Sequence, residues 1–380
     1  MNSKILMLMS LSALILTSPA TAEFTEPDTS GLASKYLGDA GIENDANVIF
    51  AENFEEGSVP AIVSRWEDSE RTDIMSLAVD VPVGSSGENS LLITHTGGDG
   101  TGAMLYRRVS PTPDYSGYKQ LYFRFYTKFD PDCYDIHHFV RMGGYENVYS
   151  WPYSHEKFAT AIDPFGDDWR WDFYTYWEEM RSYDGVNYYG NDFINDSNFS
   201  VERGKWISVE FMMKMNDPVT ERNGEQALWI DGKLWKKDGQ IVSHLGEGFP
   251  NGYWNKDSFY PNPTSDPFEG FLWLTYEERK KLNWIWLSLY ISSAPNGHVS
   301  RVWFDDVVVA TKYIGPINAT DFNTSGKVDF ADYAAFALRW LDQTCDEPAW
   351  CGGTDLNKSG SINLLDLAQF VDSWLLNPGQ

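Results

Sequence analysis

Between about Asn47 and Pro316, short runs of aromatic and β-branched residues alternate with turns of Gly, Pro, Asn and Asp. The runs include SLLITHT, KQLYFRFYTKF, DIHHFVRM, WRWDFYTYW, KWISVEFMMKM, QALWIDGKLW, WIWLSLYIS and SRVWFDDVVVA. With many such strands and no convincing helical period, the pattern predicts an antiparallel sandwich or jelly roll. Asp231-Gly232 between apolar runs predicts a hairpin over Gln226 to Trp235. Segments 143–168, 180–203 and 236–279 read as long loops, which in a compact domain usually serve function. Residues 23–46 read as an irregular lead-in.

Period two separates the faces of each run. Tyr122, Arg124, Tyr126 and Lys128 oppose Leu121, Phe123, Phe125 and Phe129. Arg170, Asp172, Tyr174 and Tyr176 oppose Trp169, Trp171, Phe173 and Trp177. Trp206, Ser208, Glu210, Met212 and Lys214 oppose Ile207, Val209, Phe211 and Met213. Trp284, Trp286, Ser288, Tyr290 and Ser292 oppose Ile285, Leu287, Leu289 and Ile291. If these four strands share one sheet, its polar-aromatic face is a groove that stacks and hydrogen-bonds sugars. In DIHHFVRM the same period sends His137 with Phe139 and Arg141, and His138 with Val140 and Met142, to opposite faces.

Beyond Pro316 the texture changes to two segments repeated at a spacing of 34, DFNTSGKVDFADYAAFALRWL from Asp321 and DLNKSGSINLLDLAQFVDSWL from Asp355. Each is a polar loop followed by apolar residues at helical spacing, which marks 317–380 as a second domain. The first loop offers oxygens from Asp321, Asn323, Ser325, the Lys327 carbonyl, Asp329 and Asp332. The second offers Asp355, Asn357, Ser359, the Ser361 carbonyl, Asn363 and Asp366. Gly326 and Gly360 stand sixth, where a calcium loop turns sharply, so the expected ion is Ca²⁺. These residues resemble the duplicated loop-helix of a type I dockerin, an EF-hand-type domain with Asp at position twelve. The resemblance covers roughly residues 318–377 and implies attachment to a cohesin-like partner. It departs at Ser325 and Ser359, where the family usually has Asp, and at Asn363, so each loop loses an anionic ligand.

Residues 1–22 read as a secretory signal: Lys4, an apolar stretch from Ile5 to Leu16, and Ala20-Thr21-Ala22 as a cleavage site. The expected location is therefore extracellular or at the cell surface. The apolar stretch is too short to span a membrane, and no later segment is long enough. Export permits disulfides; Cys345 and Cys351 are near enough in sequence to pair, and Cys133 has no evident partner. With 55 acidic and 29 basic residues the net charge is −26, which repels a phosphate backbone and argues against nucleic-acid binding. The 16% aromatic content suits both a packed core and flat, ring-shaped ligands.

ENFEEG (52–57) and WFDDVVVATKYIG (303–315), with YFRFYTKF and ALWIDGKLW, resemble strands of a concanavalin-like, laminin-G-like jelly roll. Within that group the chain is most similar to the jelly-roll polysaccharide lyases, over about 47–316. The expected fold is thus mainly β, a jelly-roll sandwich followed by a small α-helical domain. A lyase on a uronic-acid polymer neutralises the sugar carboxylate, removes the adjacent proton and protonates the leaving oxygen. Arg124 or Arg170, His137 or His138, and Tyr174 or Tyr176 supply those groups; Arg141, Trp284, Trp286, Tyr290 and Glu210 are candidate sugar contacts. The groove is expected to centre on IHHFVRM and WRWDFYTYW, within a segment that also holds Tyr153, His155 and Arg181. Zinc lacks a third ligand at diagnostic spacing. A glycoside hydrolase would need paired carboxylates, for which Asp172 with Glu210, or Glu178 with Glu179, are the candidates. No E-x-D-x-x-E strand of the kind that marks many jelly-roll hydrolases is present. A non-catalytic binding module needs only the aromatics. A structural cation between Glu52 or Glu55 and Asp305 or Asp306 is a further expectation, since the terminal strands should pair.

Overall fold

The computed structural model describes residues 31–110, 117–145, 157–273, 281–323, 325, 328–346 and 350–375. The apolar halves of the alternating strands are what close the sandwich. Leu121, Phe123, Phe125 and Phe129 are fully buried, as are Val209, Phe211 and Met213 on the neighbouring strand. Facing them from the other layer are Trp171, Phe173, Ile285 and Leu287. Rings bridge the layers: Phe125 lies 6.0 Å from Phe139, and Phe129 lies 5.3 Å from Phe139 and 6.1 Å from Trp171.

Both layers are antiparallel. The back sheet runs in the order Lys233–Leu234, Glu225–Ile230, Trp206–Lys214, Gln120–Phe129, Val299–Ala310, Ser90–Thr96, Met75–Ala78. Val48–Glu52 pairs with the later half of Val299–Ala310, so the first and last strands of the domain do lie side by side. The front sheet runs Asp68–Glu70, Gly102–Arg108, Trp284–Tyr290, Val140–Tyr145, Lys157–Phe165, Arg170–Tyr176. The hairpin at Asp231-Gly232 forms as expected, with Trp229 opposite Leu234 and Ile230 opposite Lys233.

Two sequence expectations are corrected by this topology. The four strands with polar-aromatic faces do not share a sheet: Gln120–Phe129 and Trp206–Lys214 are in the back layer, Arg170–Tyr176 and Trp284–Tyr290 in the front. And the region read as a loop over 143–168 contains the interior strand Lys157–Phe165. Its Ala159 and Ala161 carry little intrinsic strand preference, but both neighbours pair with it throughout, so tertiary pairing overrides propensity.

The outer face of the back sheet is covered by the chain's own ends. Leu32, Ala33 and Ile42 pack with Val308, Ala310 and Ile314, so the lead-in is part of the domain. Beneath it Arg124 is fully buried and donates to the Asp39 carboxylate, to Asp306 O (3.0 Å) and to Gly315 O (3.1 Å). Glu210, 2% exposed, accepts from the Ile314 and Gly315 N–H groups, both at 2.8 Å.

After Asn318 the chain forms two helices, Phe330–Leu338 and Leu364–Leu375. Phe370 joins them, stacked on Phe336 at 5.4 Å and on Phe322 at 5.9 Å. Cys345 and Cys351 form a disulfide; Cys133 is buried and free. This unit touches the sandwich where Leu37 bridges to Asn318 and where Lys358 Nζ donates to Gly87 O. Among the described residues no helix is long and apolar enough to cross a membrane.

Several buried acids make stability depend on pH. Burial lifts Glu210 to about 7, against the opposing pull of its two backbone N–H donors. Burial likewise lifts Glu52 and Asp306 to about 7. Each binds a proton in the folded chain that the unfolded chain has already released, so stability falls as pH rises from the ordinary carboxylate range to about 7. Thermal melts of wild type and Glu210→Gln across that window should show the wild-type advantage shrinking as pH rises. An advantage that grows would mean Glu210 is ionised in the folded chain throughout.

Candidate functional site

The outer face of the front sheet carries its own ring cluster, apart from the shared core, and strand register decides what it holds. One row crosses it as Tyr106, Trp286, Arg141, Ala161 and Tyr174. The next runs Arg108, Trp284, Gly143, Ala159 and Tyr176. At about 4.8 Å between strands, such a row is roughly 19 Å long. Gly143, Ala159 and Ala161 are the small positions of these rows, and the Trp284 ring lies over Gly143. The Arg141 guanidinium lies 5.3 Å over the Trp286 ring, which holds it flat on the sheet. The buried Trp286 indole N–H meets no acceptor among the described residues and is available to a ligand.

The histidines enter at one end of these rows. His138 makes an isolated bridge to Tyr290, and the phase breaks there: Phe139 and Val140, adjacent in sequence, are both fully buried. The strict alternation read from DIHHFVRM is therefore corrected. Both imidazoles lie on the same side, stacked 4.3 Å apart. Asp163, 1% exposed, accepts from the Phe139 N–H at 2.7 Å and lies 3.4 Å from His138 Nδ1. That leaves the other ring nitrogen of His138 for the groove. The His138 ring is 5.1 Å from Tyr174, which is 5.4 Å from Tyr176. His137 bonds Ser292 Oγ at 3.0 Å and lies 5.3 Å from the Tyr290 ring.

Protonation follows from these surroundings. Burial raises the Tyr174 phenol above its ordinary value, with Asp163 adding to the effect and the Gly190 N–H and Arg141 opposing it. Tyr174 thus holds its proton at neutral pH and serves as a donor. Gly190 sits against this ring so closely that a Cβ there would come within 2.5 Å of the ring carbons. His137 is lowered by burial first, then by His138 and Arg141, with Asp163 opposing. It is neutral near pH 7 and able to accept a proton.

Three sequence-predicted residues belong elsewhere. Arg124 and Glu210 lie in the covered back sheet, their polar atoms engaged by Asp39 and the backbone of 306–315. Arg170 is at the far end of its strand, bonded to Asp168 at 2.8 Å and lying over Phe165. The arginine beside the histidines is Arg141. Asp172 is fully buried and accepts from Phe193, Ile194 and Asn195 N–H, which separates it from Glu210 by the whole sandwich. Glu179 pairs with Arg222. Of the carboxylate pairs weighed for a hydrolase, Asp172 and Glu210 lie in different sheets. Tyr153 and His155 lie outside the described residues. Sequence reading missed Asp163, Tyr106 and Ala161. Asp163 was findable only once its segment was recognised as a strand.

In the C-terminal unit the two loops repeat one another bond for bond. Ser325 N donates to Asp321 and Asn323, and Asp332 accepts from the N–H groups of Asn323 and Asp329. Ser359 N donates to Asp355 and Asn357, and Asp366 accepts from those of Asn357 and Asn363. Gly360 has a φ of +84°, as the tight turn needs. The second loop thus gathers two carboxylates with amide and hydroxyl oxygens, a hard donor set that fits Ca²⁺. Lys327 lies outside the described residues. Among the described residues no group of three His, Cys, Asp or Glu side chains forms a metal cluster. Glu55, in the notional terminal-strand cation site, is engaged by the N–H groups of Glu88 and Asn89.

The fold is that of an antiparallel jelly-roll sandwich with a small helical appendage. Similar solved structures share about 70% of this chain at low identity. A mutant of alginate lyase Aly36B with an alginate tetrasaccharide is 12% identical, with TM-score 0.47 over 98% of its own chain. Alginate lyase vAL-1 from Chlorella virus is 12% identical, with TM-score 0.44 over its full length. An endo-β-1,4-glucuronan lyase from Trichoderma reesei is 13% identical, with TM-score 0.38 over 95%. No protein-family model matches the chain, and no curated protein matches it by sequence.

The stacked histidines give a direct check of this geometry. Imidazole resonances followed by NMR should show His137 titrating below an ordinary histidine. His138→Gln should move it upward, since a neighbouring positive charge is removed. A His137 midpoint that is ordinary and insensitive to the substitution would mean the rings do not stack.

Proposed function

We propose that the jelly-roll domain is a polysaccharide lyase acting by β-elimination on a uronic-acid polymer. The observation that carries this reading is the convergence of Arg141, the His137–His138 stack and the protonated Tyr174 on one ring-lined face. Arg141 would neutralise the sugar carboxylate and so acidify the adjacent C–H. His138, oriented by Asp163, would take that proton, with His137 as the alternative base. As the C–H electrons form the new C=C bond the glycosidic C–O bond breaks, and Tyr174 gives its proton to the leaving oxygen. Tyr106, Trp284, Trp286 and Tyr290 would stack the rings on either side. A hydrolase reading is weaker because Asp172 and Glu210 are buried and hydrogen-bonded to backbone N–H groups, and Glu179 is paired with Arg222.

Incubation with alginate, polyglucuronate and plant pectate should yield ultraviolet absorbance from a conjugated C=C bond. His138→Gln and Tyr174→Phe should each lose about a hundredfold or more in kcat with nearly unchanged melting points. Arg170→Ala should stay within a few-fold of wild type. New reducing ends without the absorbance would favour hydrolysis, and retention of polymer without either product would favour binding alone.

The export signal and the C-terminal repeats complete the reading: a secreted protein whose small domain binds Ca²⁺ and attaches it to a cohesin-like partner. Supporting this are the matched hydrogen-bond patterns of the two loops and exposed apolar side chains on the helical unit, among them Phe330, Leu338, Leu341, Leu364 and Leu365. Calorimetric titration of the mature chain with Ca²⁺ should show heat that Asp355→Ala with Asp366→Ala reduces. No heat in the wild type would remove the calcium reading.

A further inference from the structure

The groove does not end at Tyr174. Beyond it the chain leaves the sheet as a short loop and returns at Asn191, which pairs with Thr175. Asn191 pins both ends of that loop: Oδ1 accepts from Arg181 N (2.8 Å) and Trp177 Nε1 (3.0 Å), and Nδ2 donates to Arg181 O (2.9 Å). Inside it Asp184 accepts from Val186 N and Asn187 N, while Tyr183 N and Ser182 Oγ both donate to Asn187 O. The loop is held in shape by its own bonds, and no buried apolar anchor is needed to explain its rings. Tyr183 is 48% and Tyr189 49% exposed, whereas the rings on the strands behind them are mostly buried. Their centroids are 6.4 Å apart. The neighbouring hairpin Gly252–Pro261 adds Tyr253, 49% exposed, and Lys256, whose ammonium lies 4.4 Å over the Tyr183 ring.

We infer that Tyr183, Tyr189, Tyr253 and Lys256 form a second contact surface for acidic sugar residues, continuous with the groove and outside its reacting centre. Continuity is given by the chain itself, because Tyr189 precedes Gly190, which lies on the Tyr174 ring. The occupant is specified by charge and shape. Exposed rings in a fixed loop cost little entropy to bury against a flat pyranose. The chain's net −26 repels a polyuronate, so a ring surface needs a local cation to accept one, and Lys256 has no carboxylate within ion-pair distance among the described residues. Polymer extending past the reacting centre would therefore be held here, giving tighter binding of long chains than of short ones. The inference rests on the groove being a uronan site, and its test separates the two.

Electrophoresis of the full chain through gels cast with alginate or polyglucuronate reads binding without requiring turnover. Wild type should be retarded. Tyr183→Ala with Tyr189→Ala should weaken retention by about tenfold, the scale of two aromatic contacts. Lys256→Gln, which removes only the charge, should weaken it in the acidic gels and be rescued by Lys256→Arg. If turnover is present, the double variant should raise KM for polymer and leave kcat on a short oligosaccharide unchanged. Retardation lost in the variants without any elimination product in wild type upholds this surface and defeats the lyase reading. Elimination with retention and KM unchanged in the variants does the reverse. A wild type that is neither retarded nor active on these polymers overturns the surface.

Discussion

The fully buried contact between Arg124 and Asp39 organises the rest of the molecule. Burial disfavours the Arg124 charge, but the Asp39 carboxylate more than compensates and raises its pKa. Arg124 and Asp39 come from the middle of the back sheet and from the lead-in before the first strand. The carbonyls of Asp306 and Gly315 bring in the last strand and the segment after it. Leaving either partner of such a pair unmatched costs about 3–5 kcal/mol, a large share of an ordinary domain's stability. The chain's two ends are therefore committed to one face of one sheet. Glu210, accepting from Ile314 and Gly315 N–H, fastens the same segment a second time.

That commitment leaves the front sheet as the working surface and also fixes where its chemistry sits. Small residues at Gly143, Ala159 and Ala161 leave room on this face for the Trp284 ring and for Arg141 against Trp286. Asp163 comes from the strand between the histidine and tyrosine strands, and it can orient His138 only because that strand is interior. Gly190 then closes the outer edge against Tyr174. In so acidic a chain the Arg141 guanidinium, 5.3 Å over the Trp286 ring, sets a local positive charge on this face.

Period two was legible in nearly every strand: the residues read as apolar faces are the ones that fill the core. Which strands share a sheet was not legible, because alternation specifies faces and carries no information about partners. Arg124 and Glu210 sat at outward positions just as Arg141 and Tyr174 do, and nothing local distinguishes an outward position under the lead-in from one open to ligand. Lys157–Phe165 was hidden by its alanines and Pro164, since its pairing is decided by neighbours. The histidine phase break was hidden for a similar reason: Phe139 and Val140 are both drawn into the core, and the strict period cannot hold both. The C-terminal repeat was easier to see, because a segment repeated at a fixed spacing is itself local.

The two outward faces can nevertheless be told apart by what their polar atoms do. On the back sheet, the Arg124 Nη groups, Glu210 and the Tyr126 hydroxyl bond the lead-in and the segment after the last strand, Tyr126 accepting from Ile317 N–H at 2.9 Å. They finish the fold. On the front sheet, the Trp286 indole N–H is buried without an acceptor among the described residues, and His138 is oriented by Asp163 with its second nitrogen turned away from that carboxylate. A protein holds a buried polar donor unmatched at a cost of about 1–3 kcal/mol. Asp172, which accepts from four backbone N–H groups, three of them in 193–195, anchors the return of the loop that carries Tyr189 and Gly190.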